Sequence, residues 1–147
     1  MEERSNPIKR KGMQKIQIST RRREELVDIT SSVENIIGES GVLSGLCVLY
    51  CPHTTGAITV NEGADPSVAT DMVMGLGRLI PRNWDFSHME GNSDAHIKAS
   101  LIGPSETVII DGGRPALGTW QRIFFCEFDG PRNRTFYVNI QGGEEPR

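Results

Sequence analysis

No stretch of this chain approaches the roughly 18 consecutive apolar residues that a membrane-spanning helix requires. Charges run through the opening residues, MEERSNPIKRKGMQKIQIST, which leaves no apolar centre for a secretion signal. Both absences point to a soluble, cytoplasmic protein with no membrane partner. Cysteine is scarce as well: Cys47, Cys51 and Cys126 make an odd count, which suits reduced thiols rather than a disulfide framework. There is no excess of positive charge. The formal net charge of −3 argues against a general nucleic-acid binder, whose footprint is strongly basic. The nucleotide phosphate loop G-x-x-x-x-G-K-[ST] is absent, although IDGGRPALG offers a Gly-Gly turn and an arginine, and no H-E-x-x-H metal signature occurs.

Glycine is plentiful, at 16 of 147 residues, against a usual share of about 7%. It is spread without a period, which suits turns and close backbone approach. The length fits one domain. Residues 1–12 read as a flexible polar leader, and residues 13–147 as a single domain.

Along that domain, MQKIQIST alternates as a strand does, with Ile16 and Ile18 on one side. The run Arg21–Arg23 belongs to a turn before a second short strand, ELVDIT. Ser31 and Glu34 have the spacing of a capping box, which predicts a helix starting there, with Val33, Ile36 and Ile37 as its apolar stripe and Gly41 as its stop. GLCVLYC is apolar on both faces and reads as a central strand; GAITVNE is the next. Asp65-Pro66 opens a helix lined by Val68, Met72, Leu76 and Leu79. Downstream, ETVIID and ALGTWQRIFFCEF read as strands, DGPRNR as a hairpin loop and TFYVNI as the closing strand. The pattern predicts a compact α+β domain of mainly antiparallel strands with about three helices.

Histidine is the rarest chemistry-bearing residue, with His53, His88 and His96 the full set. Four polar clusters hold them or lie at strand ends: Cys51 with His53; Asn61, Glu62 and Asp65; Asp85, His88 and Glu90; Asp94, His96 and Lys98. In the helix expected after Gly91, Ala95, Ala99 and Ile102 point one way and Ile97 and Leu101 nearly the opposite way. Such a helix is buried by more than one partner. His96 sits in its first turn, where the helix dipole disfavours imidazolium. Lys98, a lone charge on a buried helix, needs a partner or an anionic ligand. Three converging histidines would suit zinc with an open coordination position, although taken singly each histidine reads as a structural residue. The cysteines sit among apolar neighbours and read as small buried hydrophobes. The basic runs 9–11 and 21–23 read as solvated surface.

Three ordered stretches, HTTGAITVNEGADPSV, FSHMEGNSDAHIKASLIG and LGTWQRIFFCEFDGPRNRTFYV, resemble the YjbQ family, which is associated with a secondary thiamine-phosphate synthase activity. The resemblance spans roughly residues 13–142 and departs from the family pattern at Phe86 and Asn92. It implies a stacked antiparallel α+β fold, assembled as a homotrimer, with one shared polar pocket. It further implies His53, His88 and His96 as ligands of a divalent metal, zinc or magnesium. Glu62, Asp65, Asp94 and Lys98 would be catalytic, and Asn61, Arg114, Trp120 and Gln121 would contact a small phosphorylated substrate. The implied reaction joins hydroxymethylpyrimidine diphosphate to thiazole phosphate and releases pyrophosphate, which calls for a divalent cation or basic groups at the leaving group. Two other readings fit the same residues: a metal-dependent phosphatase of small molecules, and a non-enzymatic trimeric binding protein.

Overall fold

The computed structural model describes residues 12–143. The expected leader, with the basic run 9–11, lies outside the described residues except for Gly12. Eight strands and three helices follow: β1 (Met13–Ser19), β2 (Glu25–Asp28), α1 (Thr30–Ser40), β3 (Ser44–Tyr50), β4 (Gly56–Glu62), α2 (Pro66–Leu79), α3 (Ser93–Ile102), β5 (Ser105–Asp111), β6 (Arg114–Pro115), β7 (Gln121–Glu127) and β8 (Asn133–Gly142). They form two antiparallel sheets, one of five strands in the order β1-β8-β3-β5-β6 and one of three in the order β2-β7-β4. None of the helices is long and apolar enough to cross a membrane.

The alternation of strand side chains explains the layering. One face of the larger sheet sends Cys47, Leu49, Val108, Phe136 and Val138 into a core shared with Ile58, Ile123 and Phe125 of the smaller sheet. Helix α1 plugs the end of that sandwich with Val33, Ile36 and Ile37. Intervening residues of the smaller sheet, Ala57 and Cys126, face the other way and meet Ala95 and Ala99 of α3 in a second cluster with Phe128. The order of layers is therefore sheet, sheet, helices.

Several local expectations are corrected. Helix α1 begins at Thr30 without a side-chain cap on its Ncap residue; the Thr30 N–H donates instead to Asp28 Oδ1 at 2.9 Å. Strand β3 is central, as expected, but Leu46 and Tyr50 on its outer face are exposed. The strand covered on both faces is β7, whose last five residues are all buried. It begins only at Gln121, because Gly118 and Gln121 close a turn in which Gln121 Oε1 accepts the Gly118 N–H at 2.8 Å. Strands β7 and β8 do not pair: residues 128–132 carry the chain from one sheet to the other, so DGPRNR is a crossover rather than a hairpin. Helix α2 has the expected Asp65 cap and Pro66 start but buries none of its residues fully. On α3 the Ala95–Ala99 face is buried as expected, whereas Ile97 and Leu101 are exposed.

Glycine placement is decisive at two points. Gly112 and Gly113 have φ of 60° and 78° and make the β5–β6 turn, a conformation β-carbon residues resist. At Gly45 a β-carbon would lie 2.0 Å from the Gln141 carbonyl oxygen, so β3 and β8 cross there too closely for any side chain.

Candidate functional site

Three chain segments deliver the three histidines to one open cavity of ≈ 450 Å³. His53 comes from the loop leaving β3, His88 from the segment before α3, and His96 from the first turn of α3. The His88 and His96 rings stand edge to face with centroids 5.5 Å apart, and His88 Nε2 lies 3.7 Å from Glu90 Oε2. The convergence expected of these three residues is present.

His53 is the most constrained of them. Its ring packs edge-on against Phe125, with centroids 6.4 Å apart, and its Nε2 accepts the Thr135 N–H at 2.9 Å. A neutral imidazole that accepts at one nitrogen donates at the other, so this pattern assigns the proton to Nδ1. Burial, aided by the positive charge of Arg134, holds the imidazole below its ordinary value. His53 is therefore an uncharged, oriented donor at neutral pH.

That orientation bears on metal binding. A ligating nitrogen needs a bare lone pair, and the Nε2 lone pair of His53 is engaged by Thr135. Among the described residues, no three His, Cys, Asp or Glu side chains stand as a metal-holding group. The three histidines expected as ligands thus share a cavity in which the Nε2 of His53 is already engaged.

The cavity also contains residues that the sequence reading missed: Asn92, Asp129, Arg132 and Arg134. Asp129 Oδ2 accepts from Asn92 Nδ2 at 2.9 Å and from Arg132 Nη2 at 2.9 Å. Arg134 is nearly buried and grips Glu127, which is fully buried. Its Nε donates to Glu127 Oε2 at 2.7 Å, and its Nη2 donates to Glu127 Oε1 and to Thr55 Oγ1 at 2.8 Å. Glu127 also accepts from Thr20 Oγ1 at 2.8 Å and from the Asp129 N–H at 3.0 Å. Burial alone would raise the Glu127 carboxyl, but the Arg134 hydrogen bonds and the other donors outweigh it and hold the group below its ordinary value. The available signal was the Arg132–Arg134 spacing, which places both side chains on one side of an extended segment.

Asp94 and Lys98 do not line this cavity. They face away from it, four residues apart on α3, in a buried ion cluster: Lys98 Nζ donates to Asp94 Oδ2 at 3.0 Å and to Glu24. Arg23 adds a fork, with Nη2 3.0 Å from Asp94 Oδ1 and Nη1 3.2 Å from Oδ2. Burial works against the Asp94 carboxylate, yet these donors hold it below its ordinary range. Both residues, expected to be catalytic, thus lie outside the histidine cavity: each charge already has its counter-charge, and the cluster pins α3 to the segment before β2.

The remaining expected residues lie at the opposite end of the β4–β7 ladder. Gly56 pairs with Glu127 at the cavity end and Glu62 with Gln121 at the far end, a separation of about 20 Å at the usual rise per residue. There Asn61 Oδ1 accepts the Glu62 N–H at 2.7 Å. Asp65 Oδ1 caps α2 by accepting the Ser67 N–H at 2.9 Å, and Trp120 is exposed. Arg114 sits on the β5–β6 hairpin opposite Asp111. Within one chain these residues form no common pocket with the histidines. The cysteines behave as expected: all three are buried and free, and burial pushes the Cys47 thiol up to about 11.

Known proteins match this arrangement along nearly the whole chain. The UPF0047 protein of Methanocaldococcus jannaschii is 62% identical over 87% of this chain and 93% of its own length. UPF0047 protein YugU of Bacillus subtilis is 50% identical over 86% of this chain and 97% of its own length. A crystal structure of a YjbQ/UPF0047 family protein from Clostridium acetobutylicum superposes with a TM-score of 0.86 at 48% identity, covering 87% of this chain and 99% of that one. A YbjQ-like protein of Sulfolobus solfataricus gives 0.85 at 34% identity, covering 89% and 96%. The model of the UPF0047 protein YjbQ-like family matches residues 14–143, from the first strand to the end of β8. Sequence, fold and the residues around the three histidines all fall within that span, and the chain belongs to the YjbQ-like UPF0047 family.

Proposed function

We propose that the chain is an enzyme that transforms a small phosphorylated molecule in the cavity of His53, His88 and His96, with the imidazoles holding and moving protons. The observation that carries this reading is the convergence of all three histidines from separate segments on one open cavity. His53 supplies a neutral Nδ1–H donor of fixed direction, and the adjacent His88–His96 pair sets two further imidazoles edge to face in the same cavity. Acid–base catalysis of this kind contributes about 10²–10⁴-fold. His96→Ala should therefore lower kcat by about 10²-fold or more without loss of fold. A purified variant with the parent rate would defeat the proposal.

Within that class, the thiamine-phosphate synthase reaction is the specific candidate. It is assayed by thiamine phosphate formation from hydroxymethylpyrimidine diphosphate and thiazole phosphate. The phosphatase reading is assayed on a panel of phosphate monoesters. Each assay run with and without added zinc or magnesium reads dependence on a divalent ion directly.

A homotrimer forms part of the same proposal. Leu46 and Ile109 are cross-strand neighbours on the outer face of the larger sheet. Tyr50 stacks there on Tyr137 with centroids 6.3 Å apart. Leu46, Ile109 and Tyr50 are exposed, as are Ile97 and Leu101 on α3. An adjoining copy would cover apolar surface of this kind, and would bring Asn61, Glu62, Asp65, Trp120 and Gln121 toward a neighbour's histidines. Sedimentation equilibrium should return three times the chain mass; a monomer at micromolar concentration would overturn the assembly.

A further inference from the structure

We infer that Arg132 and Arg134 form a fixed seat for the phosphate or diphosphate group of the ligand, in place of Lys98 and Arg114. This deepens the proposed function and rests on that reading of the cavity. Both arginines line the cavity beside the histidines. A guanidinium has five N–H donors in a rigid fork, and each fork here is held by only part of its set. Arg132 donates from Nε to the Asp129 carbonyl at 2.7 Å and from Nη2 to the Asp129 carboxylate at 2.9 Å. Arg134 uses Nε and Nη2 on Glu127 and Thr55. Neither Nη1 has a hydrogen-bond partner among the described residues, and the Arg132 side chain is half exposed. Each guanidinium is therefore held by its own carboxylate, with donor capacity to spare, in a residue that lines the cavity.

The carboxylates nearby do not cancel this. Glu127 is closed behind Arg134, and Asp129 is engaged by Arg132 and Asn92. Glu90 is the exposed exception, 3.7 Å from His88. The Nδ1–H of His53 adds a donor. The N-terminus of α3 also opens beside the cavity at Asn92, whose side chain leaves the helix uncapped and turns to Asp129. Against these donors stand Glu90 and the buried, unpartnered Oδ1 of Asn92. The Nη1/Nη2 edge of Arg132 can meet two phosphate oxygens, while Arg134, with Nη2 spent on Glu127 and Thr55, adds its Nη1 alone. Lys98 cannot serve, since it is buried among Asp94 and Glu24.

Calorimetric titration with inorganic pyrophosphate and with inorganic phosphate tests the seat. The parent chain should bind pyrophosphate more tightly than phosphate. Arg132→Gln should weaken pyrophosphate about tenfold or more, and Arg132→Lys should recover only part of that, because an ammonium cannot present two parallel donors. Arg132 is half exposed, so thermal melts without ligand should leave both variants near the parent. His96→Ala should keep pyrophosphate binding within about threefold while losing turnover, a split of ground-state binding from chemistry. Parent-like pyrophosphate binding by Arg132→Gln, or no binding of either anion by the parent chain, would overturn the seat. Loss of turnover in His96→Ala would still stand in that case, so the two readings fail separately.

Discussion

Glu127→Ala is expected to cost about 3–5 kcal/mol of folding stability, the usual penalty for stranding one member of a buried ion pair. The carboxylate is fully buried and gathers donors from three places: Thr20 beyond β1, the Asp129 backbone in the crossover, and Arg134 at the start of β8. Its loss leaves the Arg134 guanidinium nearly buried with Thr55 as its remaining partner. Against a total stability of about 5–15 kcal/mol for ordinary domains, that is a large share. Urea and thermal unfolding at matched protein concentration measure it; a change below about 1 kcal/mol would show that Arg134 finds other company. The sign with pH follows from the lowered carboxyl. Its contribution is present above the ordinary value of 4.5 and is lost as pH falls through the lower folded value. The parent should therefore lose part of its advantage over Glu127→Ala in acid below that point, and keep it at neutral pH.

Lys98→Ala is expected to destabilise by about 3 kcal/mol or more, and to leave turnover per folded molecule intact. The side chain is 1% exposed and bridges Asp94 and Glu24. Truncation leaves Glu24 only its 3.7 Å contact with Arg23 Nη1 and removes the buried four-carbon stem of Lys98. Asp94 keeps its fork from Arg23, which places the effect at the lower end of the range for buried pairs. Lys98→Met should recover much of the packing but not the pairing. Unfolding curves combined with kcat on the folded fraction separate the two roles. Unchanged stability with lost turnover would return Lys98 to the catalytic set expected from the sequence.

The Lys98 case also shows what periodicity can and cannot reveal. Local pattern located β1 and β5 because each alternates between a more and a less covered face, and β4 from its apolar run Ala57–Val60. Asp65-Pro66 located α2, because a carboxylate before a proline is itself the start of a helix. Burial of Lys98 followed from the apolar surface of α3 and that of Asp94 did not, and their partners Arg23 and Glu24 lie more than 70 residues away. No local spacing reports a pairing across that separation, so a buried charge read as catalysis. The arginines were missed for the opposite reason. D-G-P-R-N-R is rich in turn residues, and only the transfer of the chain between sheets shows that it forms the wall of a cavity. His53, His88 and His96 were gathered by resemblance to ordered family motifs, since 82 residues separate His53 from its hydrogen-bond partner Thr135.

One consequence of the sheet order concerns synthesis. Among the described residues, β1 of the larger sheet pairs only with β8, and β8 lies between β1 and β3. Ser19 and Asn133, paired across that ladder, stand 114 positions apart. On the ribosome, β1 thus waits for β8 to emerge, and the five-stranded layer exists until then as separate pieces. Such non-local closure is slow and leaves an open strand edge available for mispairing in the meantime. The residues that complete this layer, at the start of β8, include the arginine that walls the cavity. Folding and the capacity to bind are therefore finished by the same late step.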